Sequence, residues 1–412
     1  MDKRNAIKLA ISLKNRHRSE NRFKIASHLA ILFSISFLFI MIVSIVLKGY
    51  SAFFSTKIAM EIDVNSVLNS GSKPDYRFAI RNALNEKFAK DLAKCNCGFS
   101  DAYQLLSKNA AVELYRQIKK NPSLGQERSI FWLSASAKVD AFFKHRDASK
   151  LNKQQIQWLL QFMQESKVKT FFNYQFLLGG DSREPEIAGI AGSFIGSIMT
   201  IVIFLIFSFP IAVASAFYLE EFALKNKFTD FIEISINNLA AIPSIIYGLL
   251  GLVVYLQILH LPRASTLVAG FTLSMLVLPV IIIATRNTIR SIPNSIRDGA
   301  IGLGASKTQL IIHHLLPLST PGIMTGTILA ISRALGETAP LLMIGMIAFI
   351  VDFPQNFLEP ATVMPVQIYL WSDSAETGFI EKTSAVIMLL IGLLIMLNLT
   401  AIILRKKFEK KW

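Results

Sequence analysis

Charge is scarce in this sequence. Only 17% of its 412 residues are Asp, Glu, Lys or Arg, against about 25% in an ordinary soluble domain. A single water-soluble globule is therefore excluded. Cysteine is nearly absent: Cys95 and Cys97 are the two present, too few for a disulfide framework. Acid is the scarcer sign, with 28 Asp and Glu against 43 Lys and Arg, a formal net charge of +15. In an apolar chain that excess points first to topology and lipid headgroups, and only then to nucleic acid. A nucleotide-binding P-loop is missing as well. Residues 302–308 read Gly-Leu-Gly-Ala-Ser-Lys-Thr, but Ile301 and Ser306 stand where G-x-x-x-x-G-K-[ST] needs glycine. No Ser/His/Asp arrangement or metal-ligand cluster is recognisable. The chain is expected to be no enzyme and to need no cofactor.

What is abundant is apolar sequence, 52% of the chain, in blocks long enough to cross a bilayer. A span needs about 20 residues at 1.5 Å each. The blocks are Ala26–Leu47, Ala191–Leu219, Ile232–Leu259, Thr266–Thr285, Gly322–Ile350 and Ser384–Leu404. Pro210, Pro243 and Pro279 fall inside three of them, which membrane helices tolerate. The expected fold class is all-α, a polytopic membrane protein with six spans.

Charge orients the spans. Residues 1–25 hold eight Lys/Arg and two acids, and the tail ends in Arg405, Lys406, Lys407, Lys410 and Lys411. Both ends are therefore expected in the cytoplasm, which needs an even number of spans. The 286–320 loop has four bases and one acid, and the 351–383 loop five acids and one lysine. These two counts agree with that orientation. The first span reads as a retained anchor rather than a cleaved signal.

The expected division is a basic tail 1–25, a first span 26–48, an outer domain 49–186, a membrane domain 187–404 and a second tail 405–412. Helical period is visible in Tyr76–Lys94, Ala102–Lys119, Ile130–Lys144 and Gln154–Ser166, with Leu105, Leu106, Val112 and Leu114 as a stripe. This predicts a small, mainly helical domain outside the membrane. Its Cys95-x-Cys97 pair leaves a disulfide, unpaired thiols and a weak metal site open.

Two segments carry candidate chemistry. In Arg290–Pro317, Pro293 and Asn294 start a helix, Gly302 and Gly304 break it, and a second helix runs to Pro317. Such a helix–turn–helix either inserts an apolar ridge into a soluble partner or only ties two spans together. In Arg333-Ala-Leu-Gly-Glu337-Thr-Ala-Pro340, two charges lie four residues apart within an apolar helix, hence on one face. A charge deep in a bilayer costs roughly 2.5–3.5 kcal/mol. The pair is either a self-neutralising staple or an anion site. Arg333 offers two parallel donors to an oxyanion, Glu337 holds or competes for the guanidinium, and Thr338 adds a hydroxyl. Gly336 is expected to admit a neighbouring helix.

Asp298-Gly299-Ala300, Gly304 and Leu316-Pro317 resemble the EAA loop of ABC-importer permeases, with Asp for Glu, Gly299 for Ala and His314 for Ile. The resemblance implies a coupling loop of Asp298, Gly299, Ala300, Gly304 and Pro317 that docks on a separate ATPase. The octapeptide, with Ala241-Ile-Pro-Ser-Ile-Ile-Tyr-Gly-Leu249 and Ala284-Thr-Arg-Asn287, resembles the A-type (PstA-type) permease of bacterial phosphate ABC importers. The extra outer segment marks a variant with an added N-terminal periplasmic domain.

The resemblance covers residues 187–404 and implies the MetI-like permease fold in the inner membrane, carrying inorganic phosphate. The implied partners are a C-type sister permease, two copies of an ATP-binding subunit and a periplasmic phosphate-binding protein. Arg286 matches a basic family position and reads equally as an exit contact for phosphate or a topology anchor. A permease for phosphonate, sulfate or molybdate is the alternative. A proton-coupled carrier would leave the coupling loop without purpose, and a sensor would need an output domain.

Overall fold

A computed structural model of the chain describes residues 3–64, 75–92, 99–121, 128–145, 149–346, 349–376 and 378–408. Cys95 and Cys97 lie outside them.

The first helix, α1 (Lys3–Gly49), is long because nothing in it stops it. From Phe23 to Leu47 its large apolar side chains are exposed, apart from the half-buried Ile45, as a helix facing lipid requires. Among the described residues, five helices are long and apolar enough to cross a membrane, and six if a bent pair counts as one span. They include α8 (Ala191–Phe217), α11 (Thr266–Arg290), α13 (Lys307–Gly336) and α16 (Gly378–Phe408), the last preceded by the short α15 (Met364–Ser372). The bent pair is α9 (Lys227–Ala241) with α10 (Ser244–Gly251), whose axes turn by 101° at Pro243.

Small residues let the spans approach. A Cβ on Gly270 of α11 would lie 2.4 Å from Ile203 of α8, and one on Gly326 of α13 2.4 Å from Ala284 of α11. Close backbone approach is what membrane helices use where burial from water offers no drive.

Between α1 and α8 the chain folds into a mixed inserted domain. Strand β1 (Phe54–Ile62) is central and pairs antiparallel with β2 (Ser129–Ser134) and β3 (Val168–Phe172). Around the sheet lie α2 (Tyr76–Leu92), α3 (Phe99–Tyr103), α4 (Ala110–Lys120), α5 (Ala137–His145), α6 (Lys153–Gln164) and α7 (Tyr174–Leu178). Ile58 and Ile62 of the sheet meet Leu84 and Phe88 of α2 and Trp158 and Phe162 of α6 in one core. The Phe88 and Trp158 rings stack at 4.8 Å between centroids.

The domain is mainly helical, as expected, but its sheet was not read from the sequence. Ile130–Lys144 is a strand and then a helix rather than one helix. Ile130-Phe131-Trp132-Leu133 are strand formers, and only Phe131 and Leu133 are buried. Strand β1 shows the same tendency: Thr56, Ile58, Met60 and Ile62 are buried and Glu61 is exposed, although Ala59 on the opposite face is also buried. Ala102–Lys119 is also interrupted, because α4 begins only after Ser107 and Asn109 turn the chain. Leu105, Leu106 and Leu114 are buried and Val112 is exposed.

The fifth span differs too. It was expected over Gly322–Ile350, and the helix runs Lys307–Gly336. Pro317 and Pro321 do not stop it, since a wider, π-type turn over Leu310–Leu315 leads into them. Its end is set by Pro340, which has no N–H for the Gly336 carbonyl and whose ring would clash with it. The short α14 (Ala339–Met343) follows.

Candidate functional site

Arg333 lies in the last turn of α13, and Glu337 is the extended residue that ends it. The guanidinium Nε is 3.8 Å from Glu337 Oε1, and the two side chains are 39% and 21% exposed. The contact is therefore loose, and among the described residues no other ion pair or hydrogen bond engages the guanidinium. The Thr338 backbone carbonyl starts α14 by accepting from the Leu341 and Leu342 N–H groups at 3.1 and 3.0 Å; its hydroxyl caps nothing.

This break packs against the other one. A Cβ on Gly248 of α10 would lie 2.6 Å from Pro340 Cα. The glycine of Ala241–Leu249 thus brings the Pro243 bend onto the Glu337–Pro340 break. Gly336 plays no such part, since among the described residues nothing beyond its own helix lies within 4 Å of where its Cβ would be. Replacing Gly248 with alanine is expected to cost about 1–3 kcal/mol through overpacking, read as a lower Tm in detergent.

Arg286 is at the other end of the bundle. It sits in the last two turns of α11, next to the connection that leads into α13, whereas Arg333 is roughly 40 Å along α13 from Lys307. Arg286 is 5% exposed. Its Nε meets Glu220 at 2.6 Å and its Nη2 meets Glu233 at 2.7 Å. Arg290, one turn on, contacts the same two carboxylates at 3.0 and 3.1 Å. Glu220 and Glu221 lie in a wide turn, Tyr218–Phe222, that continues α8. Glu221 receives Arg297 at 3.0 Å, and Arg297 also donates to the Ile292 and Ile289 carbonyls.

Arg297 belongs to α12 (Asn294–Gly302), the first helix of the connection. Gly304 follows it at φ +87°, a left-handed backbone that suits glycine. Ser306 and Gln309 then cap α13 reciprocally. Ala300, Leu310 and Leu315 face inward, while Asp298 and Gly299 are exposed and Pro317 is half-buried within α13. Leu303 is 92% exposed and Ile301 and Ile312 each 52%, so the turn presents an apolar knob.

The family model described as the binding-protein-dependent transport system inner membrane component matches residues 187–412. The chain belongs to this family. A second model, a domain of unknown function (DUF3333), matches residues 10–153. The probable ABC transporter permease protein YqgI of Bacillus subtilis is 29% identical over 52% of this chain and 75% of that protein. The phosphate transport system permease protein PstA of Haemophilus influenzae is 30% identical over 47% and 67%. The inward-facing MetNI methionine ABC transporter aligns with TM-score 0.43 and 15% identity over 54% of this chain and 96% of that one. By its family model and its PstA relatives, the chain is a PstA-type ABC importer permease, a multi-pass inner-membrane protein.

Within this permease, the structure brings Arg333, Glu337 and Thr338 together and leaves Arg286 apart. The carboxylates Glu220, Glu221 and Glu233 and the knob residue Leu303 were not singled out from sequence. Two signals were available: adjacent acids directly after an uncharged span, and Arg286 and Arg290 on one helix face.

Proposed function

We propose that this permease forms half of the translocation pathway of an ATP-driven importer of inorganic phosphate. The carrying observation is the loosely held Arg333 guanidinium at the junction of two broken helices. A planar fork with free donors suits a tetrahedral oxyanion. The PstA relative supports phosphate over other oxyanions. Glu337 stands close enough to compete with the anion and time its release.

In this reading both termini are cytoplasmic, in line with their basic residues, and the inserted domain is periplasmic. A phosphate-binding protein delivers at that side, and a C-type sister permease completes the pore. Two ATP-binding subunits supply the work through the 286–320 loop, with Asp298, Gly299, Ala300, Gly304 and Pro317 shaping it and Leu303 as the docking knob. Arg286 serves as a structural tie rather than a phosphate contact, since both of its carboxylate partners hold it.

The test is ATP-dependent uptake of labelled phosphate into vesicles holding all four components, with and without this chain. Uptake that needs the chain and resists excess sulfate and molybdate is expected. Equal competition by those anions, or uptake without the chain, overturns the reading. Gly304→Val is expected to strain the turn by about 1–2 kcal/mol and to cut ATP-driven uptake about tenfold while the spans still insert. Co-purification with the ATPase and the uptake rate together check it.

A further inference from the structure

An apolar strip lies on the inserted domain where α1 enters it and α8 leaves it. It starts at Tyr50, the first residue after α1. Its rings then touch in series. Tyr50 meets Phe54 at 5.2 Å between centroids, Phe54 meets Phe172 at 6.1 Å, and Phe172 meets Tyr174 at 4.8 Å. Strand register makes the middle link, because Phe54 of β1 lies opposite Phe172 of β3. Leu178, one turn past Tyr174 on α7, extends the strip. Tyr50, Tyr174 and Leu178 are 61%, 68% and 71% exposed.

Contacts fix the level of this strip against the spans. Gly49, the last residue of α1, packs on α16, where its Cβ would lie 2.7 Å from the Met388 sulfur and 2.8 Å from the Ala385 nitrogen. That is where the uncharged run of α16 begins. On the other side, the Ile190 and Ala191 N–H groups at the start of α8 donate to the Phe176 and Gly179 carbonyls at 2.9 and 3.1 Å. The Asn173 N–H donates to the Phe53 carbonyl at 2.8 Å. Phe176 is fully buried in one cluster with Met364 and Trp371 of α15 and Ala385 of α16. Helix α7 is thus fastened by its inner side at the height where three spans end, and Tyr174 and Leu178 face outward there.

Single exposed apolar side chains are ordinary, but a contiguous strip marks an interface. Its continuity identifies the partner. The lipid-facing surface of α1 runs up to Leu47, and the strip takes over at Tyr50. Lys48 between them is long enough to reach the headgroups. Tyrosine, with an apolar ring and a polar tip, suits that depth.

We propose that the adjacent leaflet of the bilayer covers this strip. The inserted domain is then seated in the lipid interface through α7 and the base of its sheet, and does not stand clear of the membrane on α1. Tyr50, Tyr174 and Leu178 lie at the boundary of headgroups and acyl chains, as the apolar face of an interfacial helix does. This seating depends neither on the cargo nor on the side of the membrane that the domain faces. Ile130 is the contrast. It is also exposed, but it lies opposite Glu61, up β1 from Phe54 by about 23 Å of strand.

The test uses the full chain in nanodiscs, with Cys95→Ser and Cys97→Ser and a nitroxide attached through Leu178→Cys, Tyr174→Cys or, as the control, Ile130→Cys. Power saturation compares collisions with oxygen, which concentrates in lipid, and with a water-soluble nickel chelate. Oxygen should dominate at positions 174 and 178 and the chelate at 130, and adding the co-purified partners should leave that order unchanged. Leu178 is exposed, so an unchanged Tm certifies its variant even if Tyr174→Cys disturbs the ring series. If the cysteine-free chain loses Tm, p-benzoylphenylalanine at position 178 of the otherwise native chain replaces the nitroxide, and lipid adducts are expected on illumination. Chelate dominance at 174 and 178, or a ratio there equal to that at 130, overturns the proposal. So does loss of both collision rates when the partners are present, or adducts to protein alone, since either assigns the strip to a protein surface.

Discussion

Arg333→Ala is expected to lower ATP-driven phosphate uptake by about 100-fold or more while assembly continues. A hydrogen bond to a charged group contributes about 1.5–3 kcal/mol, and the fork offers two. Losing them removes at least about 3 kcal/mol, and about 1.4 kcal/mol is tenfold in affinity. The fold should survive. Arg333 is 39% exposed and its only ion pair among the described residues spans 3.8 Å, a contact worth about 0–1 kcal/mol. Arg333→Lys keeps the charge but loses the planar fork, so intermediate uptake is expected. Glu337→Gln should hold the anion longer, lowering KM and kcat together. Normal uptake by Arg333→Ala, with normal co-purification of the partners, defeats the anion-site reading.

Glu220→Ala is expected to have the largest effect on stability. Glu220 is 13% exposed and accepts from both Arg286 and Arg290. Removing one partner of a buried pair strands the other charge, at about 3–5 kcal/mol. Here Glu233 still shares the two guanidiniums, so the lower end of that range applies. The network also ties α8 and α9 to α11, and Glu221 extends it to the connecting helix through Arg297. The loss should appear as a lower Tm in detergent and as weaker coupling of ATP hydrolysis to uptake. Glu220→Ala with Arg286→Met, which removes both charges, should recover part of the Tm. An unchanged Tm in Glu220→Ala shows that the network contributes no stability.

Some of this architecture is local and so is readable in order. An apolar run of about 20 residues has one stable solution in a bilayer, which is why most spans sit near their expected positions. Gly304 likewise announces a left-handed turn, because few other residues accept it. The strands were not read, although Thr56, Ile58, Met60 and Ile62 sit at every second position of β1, because nothing local says which strand pairs with which. The fifth span was misplaced because its apolar run continues past Pro340, and apolarity is blind to a missing N–H.

The sequence by itself determined a membrane chain, most of its spans, the glycine-marked connection and the Arg333–Glu337 spacing. All follow from residues within one or two turns of each other. Only the tertiary structure decided that Arg286 is held by Glu220 and Glu233, 66 and 53 residues away, and that the Pro243 bend seats on the Pro340 break. It also decided that Tyr50, Phe54, Phe172 and Tyr174 form one strip. Contacts between distant segments leave no periodic trace, because packing selects their partners after the helices exist.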